Sequence, residues 1–232
     1  GAGTGGAGMG GAGTSGAGMS GAGMGGAGMG GAGMGGKGGC APTMPSTERC
    51  DGIDNNCSGA VDEGTACPDN CSGATRAGHS YMFCTFENAS GSGTRERSWT
   101  QAQSFCQTRN FDLVFIETAE ENAYIIDWAT RSQLEESVWM GANDRDPTIG
   151  LTNEGTWIWG SANNAVQFWD GDEDGEPVMN RYSYWSDGEP NNSGNEDCGL
   201  LAAELDFAWD DVACADTLPN FVCESSMPST TN

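Results

Sequence analysis

Basic side chains are scarce in this chain. Nine Lys and Arg stand against 33 Asp and Glu in 232 residues, a formal net charge of -24. So acidic a surface has no electrostatic route to nucleic acid or anionic lipid, and neither is an expected partner. Long apolar runs are missing too. No stretch of 18 apolar residues occurs, so helical membrane insertion is not expected. Histidine is nearly absent: His79 is the only one, near a predicted strand with no Ser or Cys partner in a catalytic motif. Cysteine, by contrast, is plentiful. Ten cysteines, an even number, point to an oxidising compartment, hence to a secreted or cell-surface protein. With all ten expected in disulfides, no thiol nucleophile remains. The chain opens at Gly1 with neither Met nor a charged-then-apolar leader, so any export signal is expected to have been removed.

Composition divides the chain. Residues 1–39 are low complexity, with the unit Gly-Ala-Gly-(Met or Thr)-(Gly or Ser) repeated from Gly1 to Gly35. Glycine loses the most entropy on ordering, and only scattered Met could offset that loss. The segment reads as a flexible tether, or as an arm through which copies of the chain assemble into an oligomer or fibre. Residues 40–67 are too few for a hydrophobic core and need cysteines or a metal to hold them. Cys40, Cys50, Cys57 and Cys67 allow three pairings, among which the sequence does not choose. Asp54-Asn55-Asn56-Cys57-Ser58-Gly59 fits the first half of an EF-hand-like loop, with oxygen side chains at alternate positions and then a turn glycine. Thr65 stands where the bidentate Glu would be, so Asp62 or Glu63 must stand in. Asp54, Asn56 and Asp62 are the candidate metal ligands. This stretch resembles a short Cys-Asp-Gly-x-Asp-Asn-x-Cys motif of secreted bacterial proteins, which implies metal binding and a bacterial origin. A larger domain is expected over 68–226, and 227–232 form a tail.

Within that domain, Ser80 to Phe86 reads as a strand. Ser98, with Gln101 three residues on, opens a helix whose inner face carries Trp99, Ala102 and Cys106. Leu113 to Ile116 reads as a short buried strand. Thr118 with Glu121 caps a second helix, its inner face formed by Tyr124, Ile125 and Trp128. Trp157, Trp159, Trp169 and Trp185 are expected to pack in the interior.

The densest chemistry lies between Glu189 and Cys214. Glu189, Asn191 and Glu196 form one oxygen-rich cluster, and Asp210 and Asp211 a second, just after Trp209. Ionised carboxylates this close repel one another unless a cation sits among them. The donors are oxygen only, which selects a hard cation, and calcium takes 6–8 oxygens in a flexible shell.

This stretch resembles the calcium and sugar site of the C-type lectin family. The family's Glu-Pro-Asn is Glu189-Pro190-Asn191, its Glu-Asp-Cys is Glu196-Asp197-Cys198, and its Trp-Asn-Asp is Trp209-Asp210-Asp211 with Cys214 after it. Asp210 departs from the family, which usually has Asn there. The resemblance implies an α+β fold of two helices, small antiparallel sheets and a long calcium-binding loop, stapled by Cys71–Cys84, Cys106–Cys223 and Cys198–Cys214. It implies that Glu189, Asn191, Glu196, Asp210 and Asp211 hold one Ca2+, with Pro190 in the cis form. Glu189, Asn191, Glu196 and Asp210 would also meet sugar hydroxyls. It implies mannose-type glycans as partners and no enzymatic activity. An auxiliary calcium position would use Asp144, Glu154, Asn192 and Asp197, with Asp146 as an alternative to Glu154. The other reading is a calcium-stabilised structural protein that binds protein or self-assembles through its Gly-rich arm.

Overall fold

A hairpin opens the larger domain and its last strand closes onto it. A computed structural model describes residues 47–86, 96–146, 151–152, 154–160 and 165–226. The 1–39 repeat, Cys40 and the 227–232 tail lie outside the described residues. Strand β1 (Cys71–Arg76) pairs antiparallel with β2 (His79–Thr85), and β12 (Asn220–Ser226) lies along the other side of β2. The first and last parts of the domain are thus neighbours.

Helix α1 (Trp99–Gln107) starts where expected. The Ser98 side chain accepts the Gln101 N–H, and Gln101 Oε1 accepts the Ser98 N–H at 3.1 Å, a reciprocal cap. Trp99, Ala102 and Cys106 are buried. Helix α2 (Ala119–Arg131) is capped by Thr118, whose Oγ1 accepts the Glu121 N–H at 3.1 Å. Glu121 does not close the box on Thr118. Its carboxylate accepts the Glu117 N–H at 3.0 Å and the Tyr81 hydroxyl at 2.6 Å. Ile125 is buried, and Tyr124 and Trp128 pack half-buried beside it.

The strand expected from Leu113 to Ile116 stops early: β3 is Asp112–Leu113 only. Val114 is buried but not laddered. Its N–H donates to the Val222 carbonyl and its own carbonyl accepts the Gly141 N–H, each at 2.9 Å. The chain therefore crosses between two strands instead of running along one. Gly141 makes that crossing possible, since a Cβ there would meet the Leu113 carbonyl at 2.8 Å.

The remaining strands are β4 (Val138–Asn143), β5 (Arg145–Asp146), β6 (Leu151–Thr152), β7 (Thr156–Trp159), β8 (Val166–Asp170), β9 (Glu176–Pro177), β10 (Cys198–Ala202) and β11 (Ala208–Val212). β5 and β6 pair with each other. The others form one connected ten-stranded sheet in the order β1-β2-β12-β4-β7-β8-β9, with β10 joining β4 to β11 and β3 on β12. β4 is the fork. It meets β12 in parallel, and β10 and β7 antiparallel, so the sheet is mixed where small antiparallel sheets were expected.

Two buried clusters flank this fork. One holds Trp99, Phe111, Leu113, Trp139 and Phe221 around the Cys106–Cys223 disulfide. The other is aromatic and centres on Trp209, which meets Trp159, Phe168, Tyr182 and Trp185 edge-on. Trp157 and Trp159 are buried as expected, and Trp169 and Trp185 pack half-buried. The bonds Cys71–Cys84, Cys106–Cys223 and Cys198–Cys214 are present, and Cys50–Cys67 joins the short segment. Cys57 is disulfide-bonded as well. Closing the 117-residue span from Cys106 to Cys223 contributes about 4–5 kcal/mol in the chain-entropy account.

Buried Trp209 Nε1 donates to Asn122 Oδ1 at 2.9 Å, tying α2 to the aromatic cluster. Asn122→Ala removes that acceptor and leaves an indole N–H buried without a partner. The expected loss is about 1–3 kcal/mol of stability, read as a lower urea midpoint with unchanged slope. An unchanged midpoint would mean that the tie contributes nothing.

Candidate functional site

Strand β11 carries two adjacent acids, Asp210 half-buried and Asp211 buried, next to a buried anchor. Trp209 sits in the aromatic core and Asp211, two residues on, is buried on the same face. Asp211 Oδ1 accepts the Asn191 N–H and its Oδ2 the Asn192 N–H, each at 2.8 Å. This bidentate grip draws the 186–197 loop onto the strand. The Ser186 N–H adds a bond to the Trp209 carbonyl at 2.9 Å. The Glu189–Pro190 peptide is cis, as expected. Asn192 turns through a positive φ of 49°, and its Oδ1 accepts the Glu196 N–H at 2.8 Å.

Carboxylate oxygens of Glu189, Asp210 and Asp211 converge to within 4.8 Å of one another. The Asn191 amide reaches Glu189 through its Nδ2, while its Oδ1 accepts the Ser193 N–H. Glu196 lies outside that tight group, and burial, then the charges of Asp211 and Asp210, raise its carboxyl. No ion pair among the described residues involves any of these acids. Burial, then the charges of Asp210 and Asp211, push the Glu189 carboxyl up to about 7. Burial and the Asp211 charge likewise raise Asp210, and burial raises Asp211 against its backbone hydrogen bonds.

A second cluster lies alongside. Oxygens of Asp144, Glu154 and Asp197 also come within 4.8 Å of one another, and Glu154 touches the Asn192 side chain. Glu154 thus lies beside Asp144 and Asp197, although the stretch before it is long; the Asp146 side chain lies outside the described residues. Asp144 Oδ2 accepts the Gly155 N–H at 3.0 Å, but Asp144 Oδ1 and Asp197 Oδ1 are buried with no hydrogen-bond partner. Burial, with the charges of Glu154, Asp197 and Asp211, pushes Asp144 up to about 7. Orphaned buried oxygens, an oxygen-only donor set and the lack of a basic partner all fit a hard cation.

In the short segment, placement differs from the expected ligand set. Asp54 meets Glu48 and Glu63, not Asp62. Asp62 faces the other way, accepting the Asp51 and Gly52 N–H groups at 3.1 Å beside the Cys50–Cys67 disulfide. Glu63 was the alternative open to the loop pattern. Glu48 precedes the motif and had no periodic signal to find it.

One further cluster had no signal in the sequence. His79 contacts Glu224, and both lie within 4.8 Å of Glu121. Burial alone would lower the imidazole, but the Glu224 hydrogen bond and charge, with Glu121 and Glu117, outweigh it and raise its pKa. Burial and the Glu121 charge raise Glu224 to about 7. The group closes β12 onto β2 and holds no nucleophile.

A family model described as "Lectin C-type domain" matches residues 95–225, and one described as "Putative metal-binding motif" matches residues 45–63. A perlucin-like protein of Mytilus galloprovincialis is 33% identical over 128 residues, which cover 55% of this chain and 69% of that protein. "CD209 antigen-like protein D" of Mus musculus is 32% identical over 130 residues, 56% of this chain and 44% of that one. "C-type lectin domain family 4 member M" of Nomascus concolor is 33% identical over 120 residues, 51% of this chain and 24% of that one. The chain thus spans about two thirds of the mussel relative and less than half of these two mammalian ones. Among solved structures, the mouse scavenger receptor C-type lectin carbohydrate-recognition domain aligns at 26% identity and a TM-score of 0.47, covering 70% of this chain and 99% of that one.

The raised carboxyls set a pH dependence. Their folded pKa values exceed the unfolded ones, so the folded, calcium-free protein binds more protons than the unfolded chain between about pH 4 and 7. Its stability therefore falls as pH rises through that window. The melting temperature of calcium-free protein should be lower at pH 8 than at pH 5. A flat profile would show that burial and neighbouring charge do not hold these carboxyls above their ordinary range.

Proposed function

The chain belongs to the C-type lectin domain family, and on that premise we propose that it is an extracellular, calcium-dependent binder of mannose-type glycans without enzymatic activity. The observation that carries this reading is the convergence of Glu189, Asp210 and Asp211 to within 4.8 Å of one another, with no ion pair to them among the described residues. Glu189, Asn191, Glu196, Asp210 and Asp211 are the proposed ligands of one calcium. Asp144, Glu154, Asn192 and Asp197 are those of an auxiliary one, whose role is to set the loop. The first set would hold a calcium that supplies a Lewis-acidic contact for two neighbouring sugar hydroxyls.

The residues of the chain do the rest. Asp211 holds the loop by two backbone N–H groups, so the Glu189 and Asn191 side chains are aimed before sugar arrives. Each sugar hydroxyl can donate to a carboxylate oxygen, a charge-assisted bond roughly twice as strong as a neutral one. The resemblance at Glu189-Pro190-Asn191 supports mannose, glucose or N-acetylglucosamine over galactose. General acid catalysis of glycoside cleavage would need an acid set apart from its partners. These acids share one charge-crowded site, which suits a cation better.

Binding to a glycan array with calcium and after chelation tests the reading. Signal on mannose-type sugars that disappears with chelation is expected, and signal that survives would remove calcium from the mechanism. Calcium at a hundred times its dissociation constant should also add about 2.7 kcal/mol of stability.

Asp210 supplies a sharper test. An Asn there could bind calcium through its oxygen and donate its NH2 to a sugar hydroxyl, whereas an ionised Asp only accepts. Asp210→Asn should weaken calcium binding modestly and tighten mannose-type sugar at saturating calcium, by about 1–3 kcal/mol if the site is dry. Calorimetric titration of each ligand checks both signs. Weaker sugar binding by the variant would mean that Asp210 is suited to a different ligand.

A further inference from the structure

The proposed sugar site is a surface of acceptors. Ionised Glu189, Glu196, Asp210 and Asp211 offer no N–H or O–H of their own. Among the proposed ligands of that calcium only Asn191 carries side-chain donors, and its Nδ2 is turned to Glu189. Asp211 already spends both oxygens on the Asn191 and Asn192 N–H groups. Asp210, its half-buried neighbour on β11, stands within 4.8 Å of Glu189 and Asp211.

Basic side chains elsewhere in the chain do not offset this charge. Arg49, Arg76, Arg97 and Arg109 lay their guanidinium groups over Phe111, Tyr124, Phe221 and Phe105 respectively. Arg131 pairs with Asp127, and Arg181 lies 4.0 Å from Glu117. Arg145, exposed on β5, makes no ion pair among the described residues. Further acids stand close by, since the charge of Glu204 reaches Asp210 and that of Asp216 reaches Glu196. A single divalent cation would offset only half of the charge on Glu189, Glu196, Asp210 and Asp211.

We propose that this site selects sugars with a free ammonium group beside the hydroxyl pair, the 2-amino-2-deoxyhexoses, over their N-acetylated and 2-hydroxy counterparts, and that Asp210 sets the choice. The inference rests on the lectin reading above and names the ligand class for the same site. An ammonium is the counterpart of an acceptor surface: it brings three donors, no acceptor and a positive charge. A hydroxyl brings one donor together with lone pairs, and an N-acetyl amide brings one uncharged N–H. A carboxylate-bearing sugar brings only acceptors and like charge, and is rejected. With Asn at 210, as the family motif usually has it, the site would lose one negative charge and gain an NH2 donor, which suits neutral sugars better.

Calorimetric titration of the calcium-loaded full chain with methyl glycosides of glucosamine, N-acetylglucosamine, glucose and glucuronic acid tests this, at a pH that keeps the amine charged. Wild type should bind the glucosamine glycoside about tenfold more tightly than the N-acetylated one, and the glucuronide not measurably. Added salt should shrink that ratio, because the extra affinity is ionic. D210N should bring the ratio close to one, with a calcium titration confirming that its site still fills. D127N, which removes an exposed charge on α2, should keep the wild-type ratio. Equal wild-type affinity for the amine and its N-acetyl form would overturn the inference, and a full ratio retained in D210N would overturn the role of Asp210. Amine binding that survives chelation would mean diffuse attraction to an acidic surface and would overturn it too. Neutral sugars bound with no amine advantage sink this inference alone, whereas no binding of any sugar by calcium-loaded protein sinks the lectin reading with it.

Discussion

Asp211 is the hinge on which the 186–197 loop turns. Its two oxygens accept consecutive backbone N–H groups of the 191–192 turn, and its own position is set by Trp209 two residues earlier in the aromatic core. A loop with few apolar residues has little reason to hold one conformation. A buried carboxylate that accepts two backbone donors supplies one, because leaving either oxygen bare is costly. The same grip that orders the loop gathers Glu189 beside Asp210 and Asp211. Order and charge crowding come from one contact.

That crowding works against the fold in the absence of a cation, and covalent bonds offset it. The Cys198–Cys214 disulfide spans the two ends of the hairpin that bears the acids, and Cys106–Cys223 anchors α1 to the terminal strand. Between them, β4 links β10, the partner of the acid-bearing β11, to the strand that closes the domain. The framework can therefore hold repelling groups in place. The short segment repeats the design in miniature. Cys50–Cys67 and the Asp62 brace hold a turn in which Glu48, Asp54 and Glu63 face one another. With too few residues for a core, it leans on β1 through glycine contacts that admit no side chain.

Local chemistry was legible in the sequence wherever both partners are near in the chain. The caps at Ser98 and Thr118, the inward faces of both helices and the oxygen-rich loops follow from residue types at short spacing. The disulfide partners and the cis Pro190 came from likeness to a family rather than from spacing, since ten cysteines leave many pairings open. What sequence could not supply was contact between distant segments. The Leu113 to Ile116 run has strand composition, yet Val114 bonds Val222 on one side and Gly141 on the other, a choice made by strands over a hundred and nearly thirty residues away. Asp62 and Glu63 are neighbours with similar side chains, and only the docking against Gly52 and Gly73 decided which one faces Asp54. Glu121 and Glu224, 103 positions apart in the numbering, meet at His79: Glu224 because β12 returns to β2, and Glu121 from α2. The sequence by itself determined which atoms could bind a cation, because donor chemistry is a property of each side chain. Tertiary structure decided which of those atoms share a site, because convergence depends on where the sheet brings distant backbone together.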